Sequence, residues 1–270
     1  MNPLERGIAL GTIALSGCAG GSPLLHPAHV LAAGDVRVMA GMSGEAAVGQ
    51  LSSDLNSSYD QASKGESTTT PAYAKGALVA ATVAPGLAPF GAARVGIGGG
   101  AEGGVAYTGH GGRLDLRRAF SNRSFALSIG AGFDAAFIGR PTNASLPDVQ
   151  LGALYAFGFD VPVLVGWRST AGLYQAWAGV RGGYDHATIT ARSTEPVPPG
   201  TGTVPYVPFD LSADHGHVGG LLGIAVGLHH IHVALELDVA YHFVTGTFAG
   251  NNVSTSGVVI TPASALLWDF

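Results

Sequence analysis

The sequence predicts an all-β chain, an antiparallel up-and-down barrel that crosses a membrane with its strands. Three observations carry this. Long segments alternate apolar and polar residues with period two. Their polar positions hold mostly Gly, Ala and Ser, with isolated charges among them. The connections between segments alternate between tight and long. The clearest segment is IHVALELDVAYHF, residues 231–243. Ile231, Val233, Leu235, Leu237, Val239, Tyr241 and Phe243 share one parity, and His232, Ala234, Glu236, Asp238, Ala240 and His242 share the other.

Composition narrows the class. The chain has 270 residues, 42 of them Gly, with 47% hydrophobic and only 11% charged residues. Soluble domains carry about 25% charge. Disorder is excluded, because disordered chains are poor in apolar residues. A net charge of −5 leaves no basic patch, so nucleic acid is not an expected partner.

The front end reads as a processing signal. Ile8 to Leu15 form an apolar core behind Arg6, too short to span a bilayer as a helix. The stretch Leu15-Ser16-Gly17-Cys18 resembles a bacterial lipobox. That resemblance implies cleavage before Cys18, a diacylglycerol on its thiol, and an exported chain with no remaining thiol, since Cys18 is the sole Cys. Ala19, in place of Asp, implies the outer membrane by resemblance to sorting rules in enteric bacteria. The expected organisation is a lipoprotein signal peptide over 1–17, a lipidated tether over 18–34 and a barrel over 35–270. Residues 76–93 lack charges but are interrupted by Pro85, Gly86 and Pro89, so they are no spanning helix.

Ten strands are expected, over about 35–48, 72–84, 92–108, 112–120, 124–138, 150–167, 170–189, 215–228, 231–247 and 257–270. Eight is the alternative, leaving 19–90 as a periplasmic tether or a lumen plug. Either even number puts both termini on the periplasmic side. Pro162 lacks the N–H that a closed ladder needs, so a bulge is expected there. Tight turns fall at 121–123, 168–170 and 229–230. Long connections fall at 139–150, 190–214 and 249–256, with the polar stretch 49–71 as the first long loop. His110-Gly111 is the one unexpectedly short connection on the long-loop side. Aromatic residues cluster near strand ends (Tyr107, Phe137, Tyr155, Trp167, Tyr184), as girdles at the two lipid interfaces would place them.

The chain closes on ALLWDF, with Leu266, Trp268 and Phe270 on one parity. This end resembles the terminal strand signal read by the barrel-assembly machinery of diderm bacteria. Residues 35–270 thus resemble bacterial outer-membrane β-barrel proteins as a class. The resemblance implies outer-membrane lipids and the assembly machinery as partners, long loops outside, and a surface or envelope protein as a further possible partner.

A two-residue turn at His229-His230 fixes one register. Leu228, Val226, Ile224 and Leu222 then face Ile231, Val233, Leu235 and Leu237 outside. Gly227, Gly223, Leu221 and His217 face His232, Glu236, Asp238 and His242 inside. The expected lumen network is Arg94, Glu102, Arg113, Asp115, Arg117, Asp134, Asp160, Arg168, Arg181, His232, Glu236, Asp238 and His242. Buried charges must be paired, so these are expected to fill the interior. An open channel needs about 16–18 strands. The expected role is structural or surface-contacting, with a narrow pore, a small-ligand barrel or a membrane-embedded hydrolase as alternatives.

His215, His217 and His242 converge near the outer rim, and three imidazoles suit Zn or Cu. With no carboxylate partner evident they are read as polar rim residues, and the lipid on Cys18 is the only expected cofactor. Asp185-His186 and Asp214-His215 lie at loop bases. Neighbours on a strand face opposite ways, so neither dyad acts within itself. No Gly-x-Ser-x-Gly elbow, nucleotide loop or metalloprotease helix motif occurs. No catalytic residue is assigned, and the chain is read as non-enzymatic.

Overall fold

The computed structural model describes residues 21–137, 146, 149, 151–189, 210–228 and 230–270. Cys18, the signal segment 1–17, His229 and most of the 190–210 connection lie outside the described residues. Ten antiparallel strands close into one barrel. They are β1 (Val36–Val48), β2 (Gly86–Gly98), β3 (Ala101–Tyr107), β4 (Gly111–Ser121), β5 (Phe125–Ala136), β6 (Leu154–Arg168), β7 (Tyr174–Ile189), β8 (Leu211–Leu228), β9 (Ile231–Phe248) and β10 (Asn251–Asp269). Neighbours in sequence pair throughout, and β1 pairs with β10 to seal the cylinder.

The strand number matches expectation, but its make-up differs at two places. Residues 92–108 are two strands, because Gly98, Gly99 and Gly100 all take positive φ and turn the chain back on itself. Residues expected as a strand over 72–84 are instead helical: α1 (Gln50–Ser63) and α2 (Pro71–Thr82) fill the connection from β1 to β2. The start of α2 explains its choice. Thr70 Oγ1 accepts from the Tyr73 N–H at 3.2 Å, and Pro71 occupies the first turn, where its missing N–H costs nothing. The Ala-rich run that follows favours a helix. The expected long loop at 49–71 is thus mostly ordered helix.

Other connections also differ. The long connection expected at 249–256 is only Ala249-Gly250, and β10 begins at Asn251. Pro162 makes no bulge. Ile129 pairs with Val163 and Gly132 with Asp160, an equal step on both strands. On the other side Pro162 stays in register opposite Arg181.

The β8–β9 register is the expected one at every pair, from Leu228 opposite Ile231 to His217 opposite His242. The two faces are then settled by exposure. Along β9 the seven odd residues from Ile231 to Phe243 are all exposed, while His232, Glu236 and His242 are buried. The large exposed side chains of the outer wall are mostly Leu, Val, Ile and Phe, and among the described residues Arg37, Arg94, Arg113, Arg117 and Arg181 are buried inside. A soluble barrel does the reverse; this distribution suits hydrocarbon outside. Exposed aromatics form two belts. Phe120, Phe125, Trp167, Tyr174, Trp268 and Phe270 lie near the end where the chain enters β1, here the terminal end. Tyr107, Phe137, Tyr155, Tyr184, Tyr241 and Phe243 lie near the other.

Two inner clusters occupy the cylinder. At the end opposite the termini, α1 and α2 pack into the barrel mouth, with Leu51, Leu55, Tyr73 and Leu78 against Leu211, Val244, Phe248 and Val259. Nearer the terminal end, Leu24, Leu25 and Ala28 pack on Met39, Leu164, Trp177 and Leu267. Residues 21–31, expected as part of a lipidated tether, therefore run inside the lumen, and 32–34 are exposed at its terminal end.

Candidate functional site in the barrel lumen

The lumen is built from alternate residues of all ten strands, so each inward side chain meets partners brought by its neighbours. Near the terminal end, Arg37 on β1 sits opposite Asp269 on β10, and its Nη2 donates to Oδ2 at 2.8 Å. This pair ties the first strand to the last. Further in, Arg94 donates to both Glu102 and Asp115, and Arg117 Nη2 donates to Glu102 at 2.8 Å.

These groups also grip the N-terminal segment. Glu102 Oε2 accepts the Leu31 N–H at 2.8 Å. Arg117 donates to the carbonyls of Pro27 and His29, and lies 2.8 Å from His26 Nδ1. Glu236 accepts three bonds, from Leu24 N (2.8 Å), Leu25 N (3.0 Å) and Trp177 Nε1 (2.9 Å). The Trp177 ring lies over Gly223, where a Cβ would fall 2.2 Å from the indole. Arg181 donates to Ser22 O, Ser22 Oγ donates to Asp134 at 3.2 Å, and Ser43 Oγ donates to Gly21 O at 3.0 Å. Residues 21–31 are thus a plug, held by backbone groups that strand side chains satisfy.

At mid-barrel Asp160 pairs with Arg181 and, at 2.9 Å, with Arg113. Arg113 also lies 3.6 Å from Asp115 and 3.9 Å from Asp134. His232 Nε2 donates to Gly172 O at 3.0 Å. Most of the expected inward charges therefore meet one another. Arg168 does not: it is exposed at the rim, where its Nε donates to Arg123 O. Asp238 joins no ion pair among the described residues, and its Oδ1 is sealed from solvent without a hydrogen bond.

Below α2, between the plug and the helices, lies a cavity of about 150 Å³ lined by Gly21, Val83, Asp185, His215, His217 and His242 among others. His215 and His217 come from β8, His242 from β9 and Asp185 from β7, while His110 reaches the cavity from the β3–β4 connection. Asp185 is opposite His215, and His186 is opposite Asp214. Two Asp-His dipeptides on antiparallel strands thus exchange partners. Asp185 with His215 faces the lumen at 3.2 Å, and His186 with Asp214 faces outward at 2.8 Å. His215 Nε2 meets His242 Nδ1 at 2.7 Å, and His217 Nδ1 lies 3.9 Å from Asp185 Oδ2. Among the described residues no Ser or Thr hydroxyl bonds to these imidazoles.

Sequence reasoning placed His215, His217 and His242 together, named Asp185 only as half of an Asp-His dipeptide at a loop base, raised a lumen plug only for the eight-strand alternative, and missed Trp177 and the Arg37–Asp269 closure. Asp185 was detectable: it shares inward parity with Arg181 four residues earlier. The plug carries no periodicity of its own, so the sequence raised it only as what an eight-strand count would leave over.

No family model matches the chain, and no curated protein matches it. Solved structures similar to it include Ail, the attachment invasion locus protein of Yersinia pestis, at 10% identity and TM-score 0.33, covering 88% of this chain and 99% of that one. Neisserial surface protein A is 8% identical with TM-score 0.32, covering 87% and 94%. A major outer membrane protein from Thermus thermophilus is 10% identical with TM-score 0.31, covering 87% and 99%. Scores this low add nothing to the strand pairing itself.

Proposed function

We propose that this chain is a closed outer-membrane barrel of a bacterium, which acts through contacts at the membrane surface and does not conduct solutes. The orientation that fits is periplasmic for the terminal end, with its tight turns, and extracellular for the helical end and the long connections. The observation that carries the reading is the occupied lumen: plug and ionic network at one end, α1 and α2 at the other. A diffusion pore needs an aqueous path, whereas the remaining space near the helical end is a cavity of about 150 Å³. That is well below the size of ordinary small-molecule sites.

The expected lipid on Cys18 belongs to this proposal with a geometric condition. Gly21 is bonded to Ser43, seven residues along β1 from the terminal rim at Val36. At about 3.3 Å per residue and a tilt of about 40°, that is about 18 Å of height. Three residues from Gly21 back to Cys18 reach at most about 11 Å. Acyl chains on Cys18 reach the leaflet at that rim only with the plug drawn out.

The test is conductance of the full chain in planar bilayers. Flat traces are expected, with discrete steps appearing when residues 22–31 are deleted. Discrete steps from the intact chain would overturn the proposal.

A further inference from the structure

We infer that the cavity under α2 is a metal site for one divalent first-row transition ion of the Zn²⁺ type, held by Asp185, His215 and His217. Their ligand atoms all lie within 4.8 Å of one another. A tetrahedral ion with bonds of about 2.0–2.1 Å spaces its ligand atoms about 3.4 Å apart. The separations here bracket that value: 3.2 Å from His215 Nδ1 to Asp185 Oδ2, and 3.9 Å from His217 Nδ1 to the same oxygen.

Three further observations point to a cation. His217 Nδ1 is sealed from solvent and makes no hydrogen bond, which is a costly state for a ring nitrogen that no ligand uses. His242 stands behind His215: its Nδ1 lies 2.7 Å from His215 Nε2, so a proton on Nε2 leaves His215 Nδ1 free to bind metal. Such a partner orients a ligating imidazole and fixes its tautomer. The charges around the cavity also favour an ion. Glu45, Asp134, Asp185 and Asp238 line it, against Arg181 as the one guanidinium among the described lining residues. Arg181 is itself engaged with Asp160.

Two imidazoles with one carboxylate select a borderline ion over Ca²⁺ or Mg²⁺, which take oxygen ligands. Three protein ligands leave the fourth position open toward the cavity, where Ser22 and Thr261 also lie.

The test uses the full chain without a polyhistidine tag, folded into detergent with Zn²⁺ or Co²⁺ present so that a closed lumen cannot exclude the ion. After removal of free metal, about one ion per chain is expected, with the intense visible bands of tetrahedral Co²⁺. His217→Gln and Asp185→Asn should each lower affinity by at least about tenfold, and His242→Ala by about 10–100-fold. His186→Gln, one residue along but on the outer face, should bind as the parent does. A parent chain that retains no ion, or shows only the spectrum of aqueous Co²⁺, overturns the inference whether or not the variants fold. So does a folded His217→Gln/Asp185→Asn double variant that binds as tightly as the parent.

Discussion

Replacing Glu236 by Ala should release the inner half of the plug while the barrel stays closed. The carboxylate accepts from Leu24 N, Leu25 N and Trp177 Nε1, at 2.8, 3.0 and 2.9 Å. All three donors lie in a dry part of the lumen against Leu164, Ala225 and Leu267. Truncation leaves them without an acceptor, at about 1–3 kcal/mol for each buried unsatisfied group. Water entering the vacated space recovers part of this, so about 3–5 kcal/mol is lost from plug docking. At 1.4 kcal/mol per decade the population of the undocked state rises by about 10² to 4 × 10³. Residues 27–31 should stay, because Arg117 and Glu102 hold them independently. The assay is labelling of Leu24→Cys by a membrane-impermeant maleimide in a Cys18→Ser background. Leu24 is almost fully buried, and a Cys there is smaller than the residue it replaces. The rate should rise by about 100-fold or more when opening is fast relative to labelling. A Glu236→Ala chain that runs as a folded barrel and labels within about twofold of its parent would refute the reasoning, since lost acceptors would then have cost under about 0.5 kcal/mol.

Two other outcomes follow from the same geometry. Leu235 lies on the outer wall about midway between Ile231, which pairs with Trp268 of one aromatic belt, and Tyr241 of the other. Leu235→Arg should therefore cost about 2–4 kcal/mol in urea titrations of folding into lipid vesicles, and an unchanged midpoint would deny that this face meets hydrocarbon. Lipid on Cys18 and a docked plug should exclude one another: chains whose intact mass includes the lipid should label rapidly at Leu24→Cys when Cys18 is retained, and lipid-free chains slowly. A lipidated chain with Leu24→Cys protected would break the reach argument.

The outer wall was legible because it answers to one rule. An outward side chain must be apolar whatever its neighbours are, so a period of two survives in the sequence and fixes register residue by residue, as Leu228–Ile231 to His217–His242 demonstrate. The inner face obeys no such local rule. Arg117 is satisfied by Glu102 fifteen positions away and by carbonyls about ninety positions away, and nothing along the chain announces either. The segment 72–84 misleads for a related reason. Inside a barrel mouth a helix is buried on most sides, and α2 is apolar apart from Lys75 and Thr82, so the amphipathic period that identifies a helix is weak and only Thr70-Pro71 marks its start. Asp185 and His215 fall between these cases. Each dipeptide looks inert alone, because its two residues face opposite ways, and antiparallel pairing of Asp185-His186 with Asp214-His215 turns both into cross-strand contacts. A short acid–imidazole motif on adjacent strands therefore always yields one pair inside and one outside once the register places them opposite. The inside pair acquires chemistry only because His217 and His242 sit one lumen step from it.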